Sequence, residues 1–278
     1  MRYRGSIVSI ALAAALAVTT TGAWALDDAR YPDWTGGWAR LGAANWDSEK
    51  PRGVGQQAPL TPEYQALYEA SLADQNRGGQ GTDPGYQCRP HGMPRIMNAN
   101  HPLFFAITPE TTYVFRDISN QSRRIYTDGR DWPAGLQHSA NGYSIGRWLD
   151  QDADGRYRTL AVETRGLKNP HSYDSSGIPF HKDDATVVTE RITLDKADPD
   201  VLRNEVTTID HALTRPWTVT RNYRRVHDPK WVEYICAEDN HHVVIGSEDY
   251  LLSWDGFLMP VGKDQKPPDL RNFEQPPR

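Results

Sequence analysis

The stretch TVVTERITLD, residues 186–195, shows the alternation that decides the fold. Successive side chains of a β-strand point to opposite sides, so Val188, Ile192 and Leu194 share one face. Glu190 falls on that same apolar face. The pattern predicts a strand that buries one side and carries a carboxylate into the interior.

Short strands of this kind are predicted over most of the chain beyond Pro102. No long helical pattern interrupts them, so consecutive strands are expected to pair antiparallel. Such a series predicts a mostly β protein, an antiparallel up-and-down β-barrel resembling lipocalins and calycins, with long loops. The predicted strands cover 103–108, 111–117, 122–127, 142–149, 156–164, 186–195, 201–210, 217–226, 231–236 and 242–246.

The N-terminal part predicts a secretory signal and then one helix. Arg2 and Arg4 precede a short apolar run, and residues 23–25 (AWA) have the form of a cleavage site. Thr61 is a helix N-cap residue followed by proline at the first helical position. We therefore expect a signal peptide at 1–25. A single barrel domain at 26–278 is expected to follow, with an N-terminal helical extension and a Pro-rich C-terminal tail.

Composition and cysteine content indicate the cellular compartment and exclude some classes of partner. A net charge of −5 argues against nucleic acid, because phosphate binding needs a basic face. No apolar run reaches the roughly 20 residues of a membrane span. A periplasmic or otherwise secreted bacterial protein is predicted. In an oxidising compartment, Cys88 and Cys236 are expected to form a disulfide, the alternative being two buried free thiols.

Two further strands place a charge among apolar side chains. In 142–149, Arg147 shares a face with apolar residues, and in 217–226, Arg221 does the same. Buried charges must pair with each other, with water or with a ligand. One interpretation is a structural ion pair with Glu190. The other is a ligand cavity in which arginine binds an anion and glutamate transfers a proton.

The polar stretch NPHSYDSSGIPFHKDD, residues 169–184, is expected to lie over one mouth of the barrel. From there, His171 and Tyr173 are positioned to act as acid or base. A plain connecting loop is the alternative. A metal site would need His171, His181 and a carboxylate to converge, but their spacing matches no compact zinc pattern.

The stretch DQDADG, residues 150–155, matches the opening of a calcium loop. Its aspartates are Asp150, Asp152 and Asp154, but its twelfth position is Ala161 where such loops carry glutamate. An acidic hairpin turn is therefore favoured over a calcium site. A serine-hydrolase elbow is absent, and no cofactor is expected.

Six motifs, taken in order, resemble a widespread and functionally uncharacterised family of secreted bacterial β-rich proteins. The resemblance covers roughly 85–245 and implies a β-rich secreted domain with both cysteines in family positions. Some cofactor-free enzymes of aromatic catabolism have a similar architecture, which favours lyase or decarboxylase chemistry by analogy. The motifs are YTDGR, SIGRW, the HS of PHSYDSSG, VVTERI, TRPWT and EYICAEDN.

The leading functional hypothesis is a cofactor-independent lyase or isomerase for a small aromatic or apolar acid. The alternatives are a non-catalytic lipocalin-like carrier and a lactone or ester hydrolase in which Glu190 or His171 activates water. The oligomeric state is not predicted. The candidate catalytic residues are Glu190, His171, Tyr173 and Arg147, and the candidate substrate-binding residues are Arg221, Trp217, Trp148, Tyr223 and His181.

Overall fold

The structure is a computed structural model that describes residues 29–42, 57–98, 101–116, 121–236, 241–245, 248–253, 255–262 and 264–268. The predicted signal peptide and residues 269–278 of the predicted tail lie outside these ranges. The helix α1 covers Pro62–Asn76. The strands are β1 Gly37–Arg40, β2 Leu103–Ile107, β3 Thr111–Arg116, β4 Gln121–Tyr126, β5 Tyr143–Leu149, β6 Thr159–Arg165, β7 Val187–Leu194, β8 Val201–Ile209, β9 Trp217–Val226, β10 His242–Ile245, β11 Glu248–Leu252 and β12 Leu258–Pro260.

Strands β1 to β9 pair in chain order, and β9 pairs with β1 to close a barrel. The predicted mostly β barrel is therefore confirmed, and so is the helix that begins after Thr61. No helix in the described ranges is long and apolar enough to cross a membrane.

One detail of the predicted topology is wrong. The strands β4 and β5 are parallel, whereas every other neighbouring pair in the barrel is antiparallel. A closed ring of nine strands cannot alternate direction throughout, so one parallel pair is required. The 16 residues between Tyr126 and Tyr143 provide the crossover that a parallel pair needs.

The strand that closes the barrel was not predicted, because its sequence, GWAR, lies in a segment rich in glycine and tryptophan. Gly37 fits there because a Cβ would meet Pro229 at 2.7 Å. The predicted strand at 231–236 is wrong, since the structure has no strand there. The predicted strand at 242–246 exists as β10, but it belongs to a separate sheet with β11 and β12 rather than to the barrel.

Alternation along the strands fills the barrel interior with apolar side chains. Trp38 is fully buried, and its indole N–H donates a 3.0 Å hydrogen bond to the carbonyl of Trp34. The other buried apolar residues of the barrel strands are Leu103, Val114, Ile125, Trp148, Leu160, Val162, Val188, Ile192, Leu202, Val206, Trp217, Val219 and Tyr223.

The long connection between β6 and β7, residues 166–186, folds over one mouth of the barrel and is called the cap here. Its apolar side chains, Ile178 and Phe180 among them, are buried in the same core as the strands. Helix α1 packs on the outside of the cap. There the hydroxyl of Tyr68 lies 3.1 Å from Oγ of Ser176, and the ring of Tyr64 lies 5.5 Å from that of His181.

The sheet β10–β12 is tied to the segment after α1. Cys88 and Cys236 lie at disulfide distance, with their Cα atoms 5.5 Å apart and a separation of 148 positions in sequence. The ring of Tyr86 also lies 5.8 Å from that of His242. The predicted cysteine pairing is consistent with this geometry, and the pair closes a loop that contains nearly the whole barrel.

Replacing both Cys88 and Cys236 with serine should lower the free energy of unfolding by up to about 5 kcal/mol, because a loop of this length gains much entropy in the unfolded state. Urea unfolding with and without dithiothreitol measures the effect. The reductant should destabilise the wild type and leave the double serine variant unchanged. Two thiols that react in the denatured, unreduced protein would show that the bridge does not form.

Candidate functional site

An ion pair between Arg123 and Glu190 lies inside the barrel. Glu190 points inward from β7, as its alternation predicts, and the two side chains are 1% and 0% exposed. Nη2 of Arg123 donates a hydrogen bond to Oε2 of Glu190. The other carboxylate oxygen accepts a 2.9 Å hydrogen bond from Nδ2 of Asn204. Both oxygens of Glu190 are therefore occupied by neighbours from the barrel wall.

Two hydroxyl groups extend this network on the side of Arg123, whose Nη1 has no hydrogen-bond partner among the described residues. Nε of Arg123 donates to Oγ of Ser144 at 3.2 Å, and Nη2 donates to Oγ1 of Thr164 at 2.9 Å. The two hydroxyl oxygens are 2.8 Å apart. The network thus joins the inward faces of five successive strands, β4 to β8. Arg123 was missed by the sequence analysis, although it shares a strand face with the apolar Ile125.

Arg147 does not belong to the network, and its predicted inward orientation is wrong. The inward face of β5 carries Ser144, Gly146 and Trp148, whereas Arg147 is exposed. A Cβ at Gly146 would lie 2.6 Å from Cγ2 of Ile125, so this interior position accepts only glycine.

The apolar residues that share the face of Arg147 pack outside the barrel. The ring of Tyr143 lies 4.8 Å from that of Tyr126 and 6.0 Å from that of Trp132. Trp132 belongs to the crossover between β4 and β5, which covers this outer surface. An apolar outer face explains why alternation alone assigned the wrong side.

The two candidate tryptophans occupy different aromatic clusters. Trp148 packs against Trp34 and Tyr31, with ring centroids 5.0 and 5.5 Å away. Trp217 packs against Tyr173 of the cap, with centroids 4.5 Å apart. Trp217 is thus in contact with Tyr173, one of the predicted catalytic residues.

Arg221 and Tyr173 meet beneath the cap, and both are about 1% exposed. Nη2 of Arg221 donates to the hydroxyl of Tyr173 at 3.1 Å. Tyr223, two residues along the same strand face, donates its hydroxyl to the carbonyl of Met97, and burial raises its pKa. With Trp217, which packs against Tyr173, the structure thus brings together four of the predicted residues at this mouth.

Asp174 lies next to this group and was not selected from the sequence as a site residue. Its side chain is buried, and burial raises the pKa of its carboxyl group. Two hydrogen bonds from Ser176 act in the opposite direction, one from the backbone N–H at 3.0 Å and one from the hydroxyl at 2.5 Å. The charges of Arg95 and Arg221 also lower its pKa, but burial is the larger influence.

Arg40, the last residue of β1, provides a second guanidinium group near Asp174. It is half-buried and lies opposite Tyr223 in the strand register. Burial and the charge of Arg221 lower the pKa of Arg40, while Asp174 raises it. Arg40 is more exposed than either Asp174 or Arg221.

A second buried ion pair, between Arg95 and Asp83, lies near Asp174. Arg95 donates to both carboxylate oxygens of Asp83, and its Nη1 also donates to Oγ of Ser172 at 3.2 Å. Asp83 and Arg95 thus balance each other, as Glu190 and Arg123 do.

His171 is buried in the cap rather than turned toward Arg221. Its ring stacks on Phe180 with centroids 4.4 Å apart, and burial lowers its pKa to about 4. The charges of Asp210 and Asp184 and the backbone of Lys168 act in the opposite direction. This environment keeps the imidazole neutral at neutral pH.

His181 lies on the outer side of the cap, away from His171. Its Nδ1 is 3.0 Å from Oδ1 of Asp183, whose other oxygen is 2.5 Å from Nδ1 of His211. These contacts lower the pKa of Asp183 and raise that of His211.

The acidic turn between β5 and β6 has the geometry of a hairpin turn. Asp150 accepts hydrogen bonds from the backbone of Asp154 and Gly155 at 3.2 and 2.8 Å. The guanidinium of Arg158 pairs with Asp152 at 3.2 Å and with Asp154 at 2.6 Å. Arginine thus occupies the carboxylates that a calcium ion would need.

Comparisons with known proteins add no assignment, since no protein-family model and no curated protein matches this chain. The resemblance to secreted bacterial β-rich proteins therefore stays a prediction. The candidate site rests on its own geometry, which is centred on Asp174, Arg40, Arg221 and Tyr173.

Glu190→Gln should lower the free energy of unfolding by roughly 3–5 kcal/mol, because it leaves Arg123 charged and buried without its partner. Glu163→Gln is the matched control, since Glu163 pairs with Arg165 at the surface. This replacement should lower the free energy of unfolding by less than ~1 kcal/mol. Urea unfolding of both variants at neutral pH gives the comparison. Equal losses in the two variants would contradict the importance of the buried pair.

The low pKa of His171 predicts acid sensitivity. Between its ordinary value of 6.5 and its folded value of about 4, the unfolded chain takes up a proton that the folded protein does not. Stability is therefore lost as the pH falls, by about 2 kcal/mol from this group between pH 7 and pH 5.

His171→Phe should remove this contribution while keeping a ring against Phe180. Urea unfolding at both pH values measures it, and the other histidines contribute equally to the two proteins. The same pH dependence in the variant and the wild type would show that His171 titrates normally.

Proposed function

We propose that the protein is a cofactor-independent lyase or isomerase that binds a small carboxylic acid at the capped mouth of the barrel. Asp174 transfers the proton, Arg40 and Arg221 bind the anionic group, and Tyr173 donates a hydrogen bond. The observation that carries the proposal is the buried Asp174, whose raised pKa suits proton transfer and which interacts electrostatically with Arg221 and Arg40.

Local charge supports an anionic ligand. Around this mouth the ion pairs of Arg95 with Asp83 and of Arg123 with Glu190 are neutral overall. The charge of Arg221 lowers the pKa of Asp174, and the charge of Asp174 raises the pKa of Arg40, so both guanidinium groups lie within electrostatic reach of this carboxyl group. A carboxylate suits the planar donor geometry of arginine.

Aromatic side chains support an aromatic or apolar acid. The rings of Tyr173 and Trp217 pack together beside Arg221, whose guanidinium carbon lies 5.8 Å from the Tyr173 ring centroid. An aromatic ligand would extend this cluster by offset or edge contacts. A carboxylate on such a ligand would then lie toward the two arginines.

The chemistry assigned to Asp174 is general acid–base catalysis. As a carboxylate it removes a proton from a carbon of the bound acid, and as a carboxylic acid it returns that proton at a neighbouring position. The guanidinium groups stabilise the negative charge that develops in between. Burial raises the pKa of Asp174 and so strengthens it as a base.

A non-catalytic carrier is the second candidate. The observation that favours it is the closed network around Glu190, the predicted proton-transfer group, which is fully enclosed by Arg123 and Asn204. The hydrolase hypothesis receives no comparable support, because Glu190 is ion-paired and His171 is stacked in the cap.

We also propose that the protein is exported from the cytoplasm. Cysteines at disulfide distance support an oxidising compartment such as the periplasm, where such pairs persist.

Benzoate, phenylacetate and cinnamate should raise the thermal unfolding midpoint, because a ligand that binds only the folded state stabilises it. The matching amides, which lack the charge, should not. Arg221→Met and Arg221→Lys should both abolish the shift, whereas Arg124→Met, at an exposed position on the outside of β4, should retain it. Equal shifts by acids and amides would contradict an anion site.

Asp174→Asn should keep the binding of an active acid and lower its turnover by roughly 10²-fold or more. Asp198→Asn is the control, because Asp198 forms an exposed pair with Arg224 and should leave both properties unchanged. Exchange of substrate carbon-bound hydrogen with deuterium oxide, followed by NMR, detects proton transfer directly. Acids that bind without exchange or conversion would identify a carrier.

A further inference from the structure

His181, Asp183 and His211 converge on the outer surface of the cap. Their potential ligand atoms all lie within 4.8 Å of one another. Nδ1 of His181 is 3.0 Å from one oxygen of Asp183, and Nδ1 of His211 is 2.5 Å from the other. His181 and Asp183 belong to the cap, whereas His211 belongs to the turn between β8 and β9, 28 residues further along.

Two imidazoles and one carboxylate are a donor set that Zn²⁺ commonly takes, with water as the fourth ligand. Around a tetrahedral ion with bonds of about 2.0–2.1 Å, neighbouring donor atoms are about 3.3 Å apart. The two nitrogen–oxygen separations, 3.0 and 2.5 Å, are shorter than that value, so small side-chain rotations that move the donors apart bring all three onto one ion. The backbone N–H of Asp183 points at Nδ1 of His181 from 3.3 Å, which is consistent with an unprotonated nitrogen on this side of the ring.

The backbone on both sides of the cluster is fixed by one buried carboxylate. Oδ1 of Asp210 accepts a 2.9 Å hydrogen bond from the N–H of His181 and a 2.7 Å hydrogen bond from the N–H of Ala212. Oδ2 accepts a 2.6 Å hydrogen bond from the hydroxyl of Thr186. The donors therefore stand on positioned backbone, which reduces the cost of organising a metal site.

The neighbouring carboxylate has other partners. Asp184 accepts hydrogen bonds from the backbone and side chain of Asn169 at 2.9 and 2.8 Å, and it lies 3.6 Å from Nδ1 of His138. Of the two adjacent aspartates, only Asp183 points between the two imidazoles.

We propose that His181, Asp183 and His211 bind a divalent transition metal ion, with Zn²⁺ as the best match, which fastens the cap to the β8–β9 turn. The bound ion replaces the direct contacts of the carboxylate with the two imidazoles. It leaves one coordination position on the solvent side, where His211 is 71% exposed. The inference does not depend on the chemistry proposed beneath the cap.

Untagged protein, stripped with a chelator, should bind one equivalent of ZnCl₂ in a calorimetric titration. It should also give the visible absorption of tetrahedral Co²⁺ when CoCl₂ is added. His211→Ala and the isosteric Asp183→Asn should each weaken Zn²⁺ binding by more than roughly 100-fold, since loss of an outer-sphere partner alone costs roughly 10–100-fold. Zn²⁺ should raise the thermal unfolding midpoint of the wild type and not that of either variant.

His138→Ala is the matched control, because His138 lies in the same region with a 41% exposed side chain but pairs with Asp184. It should bind Zn²⁺ like the wild type. Absence of a one-to-one complex overturns the proposal, and so does binding that survives either His211→Ala or Asp183→Asn. Circular dichroism of the metal-free variants separates lost ligands from lost folding, and the acid-binding measurement above is unaffected by either result.

Discussion

The pairing of Arg123 with Glu190 constrains the barrel more than any other interaction. Both charges are removed from water, and isolated burial of either would cost several kcal/mol. Asn204, Ser144 and Thr164 supply further hydrogen bonds from three other strands. A shift of any one strand by a single residue would turn its polar group outward and leave the others unsatisfied. The network therefore selects one register across β4 to β8, including the parallel pair where only two residue pairs hold the strands together.

Alternation of apolar and polar residues correctly predicts which side chains point inward over much of the barrel. It fails where both faces of a strand are covered. It placed Glu190 and Arg221 inside correctly, because the outer faces of β7 and β9 are polar. On β5 it failed, since Tyr143 packs under the crossover outside the barrel while Gly146 occupies the interior. Arg123 carried the same signal as Glu190, a charge in phase with an apolar neighbour. The parallel pair and the short closing strand β1 depend on ring closure, which no local pattern reveals.

The candidate site was less predictable from the sequence than the barrel strands, because its residues come from segments far apart in sequence. Tyr173 and Arg221 were selected individually, yet their contact exists only because the cap turns inward over the mouth. Asp174 has no distinguishing sequence pattern. Its raised pKa comes from burial, which is a property of the folded cap rather than of its neighbours in the chain. For the same reason the sequence predicts His171 as an accessible base, whereas folding places it in the cap core against Phe180.

The cap therefore has two sides with different chemistry. Its inner side completes the core with Tyr173 and Phe180 and holds Asp174 near the arginines, so any opening would return that carboxyl group to water and lower its pKa. Its outer side carries His181 and Asp183, which face the β8–β9 turn. Whatever holds the outer side closed also maintains the burial of Asp174. The buried Asp174 beneath the cap and the contacts of His181 and Asp183 above it thus belong to one segment of 21 residues, from Gly166 to Thr186.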